Sequence, residues 1–275
     1  MGHRYQINLI SDSTGETLDR IFLALKSQFS NFDYEKKEHV FIRTEQQINK
    51  IIKESERKKN SIILYTIVEI KLAKYISQQC EKKHIPCFGI LGNLILNFSK
   101  LLNQKATHTP SAQHVLDSDY YKRIEAIQFS MSHDDGMRTE DIKNADIILL
   151  GVSRTSKTPT SIYLANRGYK TLNIPLVTGQ EIPAVLKKEP DIFCVIGLTV
   201  EAERLSDIRT NRLEIMKEIN IPNYSNSCFI KKEIEDSKKL FKKHNWPVID
   251  VTRKSVEETA ASIIRIFDIK KRKKK

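Results

Sequence analysis

Short apolar runs alternate with longer segments of helical periodicity along most of the chain. In the first hundred residues the apolar runs predict strands at 6–10, 40–43, 62–68 and 84–90. The intervening segments repeat apolar residues every three or four positions and predict helices at 17–29, 45–58 and 70–83. Strands and helices that alternate at this spacing are typical of a parallel α/β unit.

A second series of the same kind follows a polar, proline-containing stretch at 103–113 and a predicted helix at 115–129. Its strands are predicted at 146–150, 171–177, 191–198 and 248–251. Its helices are predicted at 159–168, 200–219 and 256–264. Ser255 and Glu258 have the spacing of a capping box at the start of the last of these helices.

The segment 151–158 has the sequence G-V-S-R-T-S-K-T, one residue away from the phosphate-binding pattern G-x-x-x-x-G-K-[ST]. A predicted buried strand precedes it and a predicted helix follows, which is the context that the pattern needs. Backbone N–H groups of such a loop and the helix N-terminus can hold phosphate oxygens. The candidate phosphate-binding residues are Gly151, Val152, Ser153, Arg154, Thr155, Ser156, Lys157 and Thr158.

Within this segment, Lys157 is expected to reach the outer phosphates and the Thr158 hydroxyl to ligate Mg²⁺. Ser156 stands where glycine is usual, and its Cβ would crowd a phosphate unless its φ is negative. An ordinary strand-to-helix turn that happens to contain Lys-Thr remains the alternative interpretation.

The two series and this motif define the predicted domains. We expect an α/β protein with an N-terminal parallel α/β domain at 1–105 and a P-loop kinase-like α/β domain at 140–268. A connecting segment is expected at 106–139. The residues 269–275 are expected to form a basic disordered tail, because like charges repel one another.

Composition narrows the class of protein only moderately. Of the 275 residues, 40% are hydrophobic and 29% are charged, as in a soluble globular protein. The four cysteines form no C-x-x-C pair and no zinc-like cluster with histidine, which favours reduced thiols in a cytoplasmic protein. We expect no secretory signal and no membrane partner, because the apolar stretches at 62–68 and 87–98 are too short to span a bilayer.

The net charge of +12 raises nucleic acid as a candidate partner. Six of these charges belong to Lys270–Lys275, so the rest of the chain carries +6. The tail can be read as a solvated end or as a patch for an acidic surface. The body shows neither an aromatic-interleaved basic stripe nor a zinc finger, which argues against a nucleic-acid-binding module.

Four segments together resemble the bacterial pyruvate, phosphate dikinase regulatory proteins, a family shared with the regulators of phosphoenolpyruvate synthase. They are A-D-I-I-L-L-G-V-S-R-T-S-K-T-P-T-S at 145–161, S-D-S-T-G-E-T at 11–17, H-D-D-G at 133–136, and G-L-T at 197–199 running on to Arg212-Leu213. The resemblance extends to about residue 265. Thr155 and Ser156 before the lysine favour the dikinase branch over the synthase branch.

The resemblance implies an ADP-dependent protein kinase that phosphorylates a threonine of the dikinase and thereby inactivates the dikinase. It also implies a phosphate-dependent dephosphorylation that releases pyrophosphate and reactivates the dikinase. The implied ligands are ADP, phosphate and pyrophosphate, with Mg²⁺ as the accompanying cation; a homodimer is left open. A synthase-directed version of the same activity, and a small-molecule P-loop kinase or NTPase, remain alternatives.

Phosphoryl transfer also needs cationic groups and a carboxylate near the reacting phosphorus. Arg204 and Arg209 lie on the predicted helix 200–219, where they can clamp phosphate or simply pair with nearby carboxylates on a solvated helix. Asp134 and Asp135 can serve as base or Mg²⁺ ligand, or can belong to a plain Asp-Asp-Gly turn. With Lys157, these four residues are the candidate catalytic set.

The segment 11–17 offers small hydroxyls and a glycine at a predicted strand end. It can hold a second anion at the helix N-terminus, or Ser13 or Thr14 can cap that helix. The residue pattern favours neither interpretation.

Overall fold

Two parallel sheets, each flanked by helices, organise the computed structural model, which describes residues 4–114, 116–188, 192–216 and 224–273. The chain divides into two units, Met1–Val115 and Leu116–Lys275. The predicted α/β class, with an N-terminal unit followed by a kinase-like unit, is confirmed.

The first unit has the strand order β2-β1-β3-β4, with every neighbouring pair parallel. In chain order its elements are β1 (Tyr5–Ser11), α1 (Glu16–Lys26), β2 (Tyr34–His39), α2 (Glu45–Glu56), β3 (Ser61–Thr66), α3 (Ile70–Lys82), β4 (Cys87–Gly89) and α4 (Gly92–Leu102). Apolar side chains of the central strands pack against the helices on both faces of the sheet.

The predicted second strand at 40–43 is wrong, because the edge strand lies at Tyr34–His39. This strand has the sequence Y-E-K-K-E-H and buries little of its surface, since an edge strand has only one neighbour. Lys36 forms ion pairs with Asp19 and Glu38 instead of packing in the core. A hydrophobic pattern therefore cannot locate this strand.

The second unit has the strand order β6-β5-β7-β8, again with every neighbouring pair parallel. Its strands are β5 (Ile147–Gly151), β6 (Thr171–Pro175), β7 (Val195–Thr199) and β8 (Val248–Asp250). Its helices are α5 (Ser118–Ser132), α6 (Lys157–Ala165), α7 (Ala184–Lys188), α8 (Ala202–Met216), α9 (Ser227–Lys243) and α10 (Val256–Lys273), with 3-10 turns at Asp134–Gly136 and Thr139–Asn144.

Two segment predictions differ from the structure. The units divide between residues 115 and 116, so α5 and the 3-10 turn at Asp134–Gly136, both in the expected connecting segment 106–139, belong to the second unit. There α5 packs against α6 and β6. The expected disordered tail is also wrong as far as Lys273, because α10 continues to that residue. Its basic last turn is favourable at a helix C-terminus, where the helix dipole is negative. Residues 274 and 275 lie outside the described chain.

In each unit the first strand lies between the second and third strands, so the chain changes direction across the sheet at that strand. Ligands of open α/β sheets bind in the crevice at the carboxyl ends of the strands, at this point of reversal. The loop after β1 and the loop after β5 both begin there. The fold therefore places the segments 11–17 and 151–158 at equivalent positions in their own units.

Candidate active site

The loop between β5 and α6 begins at Gly151, the last residue of a fully buried strand. A Cβ atom on Gly151 would lie 2.7 Å from the backbone oxygen of Leu198 and 2.7 Å from Oγ1 of Thr155. The Thr155 hydroxyl is buried and donates to the backbone oxygen of Val152 at 2.9 Å. Glycine is thus required at the first position for the loop to close against β7.

Ser156 precedes the first residue of α6 and adopts φ 57° and ψ 25°, the left-handed conformation. Its φ is therefore not negative, so the Cβ of Ser156 is not moved away from a phosphate in the way that the sequence analysis required. Arg154 in the same loop is also left-handed, with φ 72°. Both residues keep a backbone conformation that costs non-glycine residues about 1–2 kcal/mol, and such strain concentrates at ligand-binding loops.

Lys157 is 5% exposed, and its ammonium group donates to the backbone oxygen of Val152 at 3.0 Å. The side chain thus lies against its own loop. Burial lowers the pKa of Lys157 to about 8, while the negative charges of Asp135 and Asp134 oppose this shift. The desolvated ammonium would regain favourable interactions when an anion binds in the loop.

Asp134 and Thr158 are 24 residues apart in sequence and meet in the structure. The Thr158 hydroxyl donates to Oδ1 of Asp134 at 3.1 Å. Asp134 lies in a 3-10 turn in which Asp135 has φ 50° and Gly136 has φ 79°. The structure therefore brings the Asp-Asp-Gly turn to the start of α6, beside the lysine-threonine pair.

Asn173 completes this contact and was missed by sequence reasoning. Its amide Nδ2 donates to Oδ1 of Asp134, and to Oγ1 of Thr158 at 3.1 Å. The side chain is fully buried on β6, and its Oδ1 has no hydrogen-bond partner within the described residues. An asparagine inside the buried strand T-L-N-I-P was the available signal, since a buried polar side chain requires a partner.

His133 stabilises the turn and does not face the loop. Its ring stacks on Phe129 at a centroid distance of 3.8 Å, and its Nε2 lies 3.3 Å from Oδ2 of Asp141. The backbone oxygen of His133 accepts from the backbone N–H of Asn173 at 3.4 Å. This residue thus has the structural role that is ordinary for a buried histidine.

Arg209 is 2% exposed and holds the loop from inside the protein. Its Nη2 donates to the backbone oxygen of Ser153 at 3.2 Å, and its Nη1 donates to that of Tyr224 at 3.0 Å. It also forms an ion pair with Glu233 at 2.8 Å. Arg209 therefore lies beside the loop, but its Nη1 and Nη2 atoms are already paired with protein groups.

The other arginines of the site are exposed. Arg204 and Arg212 are exposed on α8, whereas Arg209 on the same helix is buried. Arg154 is exposed at the loop, and its Nε donates to the Tyr224 hydroxyl at 3.1 Å. Of these three, Arg154 is the one that the structure places in the loop itself.

A cavity of about 440 Å³ adjoins the loop at Val152. Its apolar lining comes from the segment after β6 and from α9, and includes Leu176, Ile182 and Leu240. Polar groups at its edge include Asp236 and His244. This volume falls within the usual range for small-molecule sites.

The loop after β1 also borders a cavity, of about 210 Å³. The predicted capping of α1 by Ser13 or Thr14 is wrong: Gly15, with φ 83°, is the N-cap and no side chain caps the helix. Asp12 accepts from the backbone N–H of Val68 at 2.8 Å, and burial raises the pKa of its carboxyl group. Asp12 and Glu16 both line the cavity, which disfavours an anion there.

Comparison with known proteins identifies the relatives of this chain. A family model described as kinase/pyrophosphorylase matches residues 7–264. The chain belongs to the kinase/pyrophosphorylase family. This confirms the family predicted from the four sequence segments.

A member of this family from Pelagibacter ubique (strain HTCC1062), named as a pyruvate, phosphate dikinase regulatory protein, is 64% identical over 98% of this chain and 99% of its own. A protein of the same name from Chelativorans sp. (strain BNC1) is 42% identical over 95% of this chain and 96% of its own. Among solved structures, an ABC sugar transporter subunit from Rhodobacter sphaeroides 2.4.1 covers 74% of this chain and 82% of its own, with 10% identity and a TM-score of 0.26, too low to inform the fold.

The candidate site gathers groups of the kinds that phosphoryl transfer needs. A helix N-terminus, a buried ammonium group, a hydroxyl and a carboxylate converge within one loop and one turn. Within the described residues, no cluster of three histidine, cysteine or acidic side chains could hold a metal ion by itself, and no helix is long and apolar enough to cross a membrane. A cation at this site would therefore need hydroxyl, amide or phosphate ligands as well.

Proposed function

We propose that this protein regulates pyruvate, phosphate dikinase by two opposed phosphoryl transfers. In one direction, a threonine hydroxyl of the dikinase attacks the β-phosphorus of ADP; phosphothreonine forms, AMP leaves and the hydroxyl proton is released. In the other, inorganic phosphate attacks the phosphothreonine, the threonine is restored and pyrophosphate leaves. The first reaction inactivates the dikinase and the second reactivates it.

The observation that carries this proposal is the contact between Asp134 and Thr158 at the start of α6. It brings a carboxylate that can accept a proton, or help to hold a cation, to a loop shaped for phosphates. The names of the relatives support the dikinase as the target. The family description supports a kinase reaction together with a pyrophosphate-forming one.

The proposed ligands of the site are ADP and Mg²⁺. The phosphates would lie over the N-terminus of α6 within reach of Lys157, with Arg154 at the exposed side. The cavity beside Val152 is the proposed site of the nucleoside. Oxygen donors suit Mg²⁺, and the Thr158 hydroxyl and the Asp134 carboxylate are such donors. When bound, the cation would neutralise phosphate charge.

The test uses purified dikinase with ADP, followed by added phosphate, with intact-mass detection of phosphothreonine and assay of pyrophosphate. We expect Lys157→Ala to abolish the forward transfer while the fold is kept, because the ammonium group donates to a backbone oxygen of its own loop. Lys170→Ala is the matched control, since Lys170 pairs with Glu125 at the surface of the same unit. Near wild-type transfer by Lys157→Ala would overturn the loop assignment.

The same assay separates the alternative functions. A small-molecule kinase or NTPase would consume nucleotide at an undiminished rate without the dikinase. A synthase-directed regulator would modify phosphoenolpyruvate synthase instead, although Thr155 and Ser156 favour the dikinase branch. Subunit number and cytoplasmic location stay predictions.

A further inference from the structure

Three polar atoms form a closed triangle beneath the phosphate loop. The Thr158 hydroxyl oxygen lies 3.1 Å from Oδ1 of Asp134 and 3.1 Å from Nδ2 of Asn173, and Nδ2 of Asn173 also contacts Oδ1 of Asp134. These atoms come from the turn, from the first turn of α6 and from β6. Each atom is thus in contact with the other two.

Two edges of this triangle have the length of an edge of a magnesium coordination octahedron, and the third, between Asn173 and Asp134, is shorter. Magnesium binds oxygen ligands at about 2.0–2.1 Å in near-ideal octahedral geometry, so neighbouring ligands lie ~3 Å apart. The two 3.1 Å separations at Thr158 agree with this spacing. Mg²⁺ sites in nucleotide enzymes often use one or two carboxylates and complete the shell with substrate phosphates and water.

Asn173 is the member of the triangle that has an unsatisfied hydrogen-bond acceptor. Its side chain is fully buried, and its Oδ1 has no hydrogen-bond partner within the described residues. An unpaired buried carbonyl oxygen is costly, because it gives up its hydration without gaining a hydrogen bond. A half-turn of the amide about its terminal torsion exchanges Oδ1 with Nδ2 and turns the carbonyl oxygen toward Asp134 and Thr158.

We propose that Asp134, Thr158 and Asn173 are three ligands of one divalent cation, and that Asp135 is the carboxylate left to accept the threonine proton. This inference rests on the proposed function for the nucleotide phosphates that complete the shell. The cation replaces the hydrogen bonds of the triangle, and Asn173 then presents its carbonyl oxygen. Asp135 is exposed, so an incoming hydroxyl can reach it.

The test measures Mn²⁺ binding by electron paramagnetic resonance, using full-length protein with and without saturating ADP. We expect Asp134→Asn and Asn173→Ala each to weaken Mn²⁺ binding to the ADP complex by at least about 10–100-fold, the loss that mutation of residues supporting a metal ligand already causes. Asp119→Asn and Asn166→Ala are matched controls in the same unit. Asp119 pairs with Lys122 on the exposed surface of α5, and Asn166 bonds within the end of α6, so neither should change the affinity.

Asn173→Asp keeps the inference falsifiable if removal of the buried amide prevents folding. A carboxylate is a better cation ligand, so Mn²⁺ should bind this variant at least as tightly as wild type and should raise its Tm more than that of wild type. If Asn173 only donates hydrogen bonds, the carboxylate introduced by Asn173→Asp would repel that of Asp134. Mn²⁺ would then neither bind this variant tightly nor restore its stability. That result, or unchanged affinity in folded Asp134→Asn, would overturn the inference.

Mn²⁺ binding and transfer to the dikinase, measured on the same proteins, separate this inference from the proposed function. If wild type binds ADP and transfers phosphate but the ligand variants hold Mn²⁺ normally, the cation site is wrong and the function stands. If wild type binds Mn²⁺ through these residues but does not modify the dikinase, the site stands and the function is wrong.

Discussion

At the scale of single residues, the buried ammonium of Lys157 makes nucleotide binding sensitive to pH. Burial lowers its pKa to about 8, so the free protein loses this charge as the pH rises through that value. Bound phosphates favour the charged form and raise the pKa again. ADP binding above pH 8 must therefore take up a proton, and affinity falls as the pH rises, by up to about tenfold per pH unit.

Calorimetry in two buffers of different ionisation enthalpy measures this proton uptake directly. Lys157→Arg is the matched variant, because a guanidinium stays charged throughout the range. We expect proton uptake near pH 8.5 in wild type and none in the arginine variant. Equal proton uptake in both proteins would show that another group titrates.

The residues of the site differ in how visible they are in sequence. Lys157 and Thr158 belong to a contiguous motif whose spacing reflects one loop and one helix start, so a single segment predicts their placement. Asp134 was visible as a short cluster, but only the fold shows that it contacts Thr158. Asn173 lies alone in a strand, and its role depends on tertiary contacts that no local pattern encodes.

At the scale of secondary structure elements, Gly197 allows α9 to approach β7. A Cβ atom on this residue would lie 2.6 Å from the ring of Phe241, which is fully buried on α9. We expect Gly197→Ala to lower the free energy of unfolding of the second unit by about 1–3 kcal/mol, the usual effect of overpacking. Denaturant unfolding followed by the fluorescence of Trp246, the single tryptophan, measures this.

Gly92→Ala is the control for that substitution. A Cβ at Gly92 meets no atom within 4 Å, and Gly92 lies at the start of α4 in the first unit. The Trp246 transition should not move in this variant. An unchanged transition in Gly197→Ala would mean that α9 shifts without cost.

The last helix gives a second prediction at this scale. Lys270 donates to the backbone oxygen of Phe193 at 2.6 Å, and the basic last turn complements the helix dipole. Deleting residues 270–275 should lower the free energy of unfolding by about 1 kcal/mol but change kcat/KM less than tenfold. A larger loss of kcat/KM would show that this end of α10 binds the protein substrate.

The elements also show where sequence patterns fail. β5 is buried on both faces, so its apolar run located it correctly. The edge strand β2 carries charged residues on both sides and gave no such signal. The capping box of α10 was correct, since Ser255 and Glu258 exchange both expected hydrogen bonds and the motif is local.

At the scale of the whole molecule, both units share one strand order and place a loop at the same point of reversal. Each loop ends in a left-handed residue that precedes a helix, Gly15 in the first unit and Ser156 in the second. Their chemistry differs, because the first loop lines its cavity with Asp12 and Glu16, whereas the second holds Lys157. The sequence predicted both loops but could not show that these carboxylates line the first cavity.

The two directions of the proposed reaction make different demands on the two adjacent aspartates. The forward reaction must remove a proton from a threonine hydroxyl, whereas the reverse attack uses phosphate, which is already anionic. Both directions move a phosphoryl group whose charge is spread over its oxygens, so both need the cation. If Asp135 is the base and Asp134 a cation ligand, their substitutions will have different signatures.

We expect Asp135→Asn to depress phosphorylation of the dikinase by about 10²–10⁴-fold, the usual contribution of general base catalysis, with a much smaller effect on pyrophosphate release. Asp134→Asn should depress both rates to a similar extent, and raising the Mg²⁺ concentration should partly restore both. The measurement is the initial rate in each direction for each variant. If Asp134→Asn instead slows mainly the phosphorylation and Asp135→Asn slows both reactions, the base is Asp134. Unchanged rates in both variants would mean that His133–Gly136 is only a structural turn.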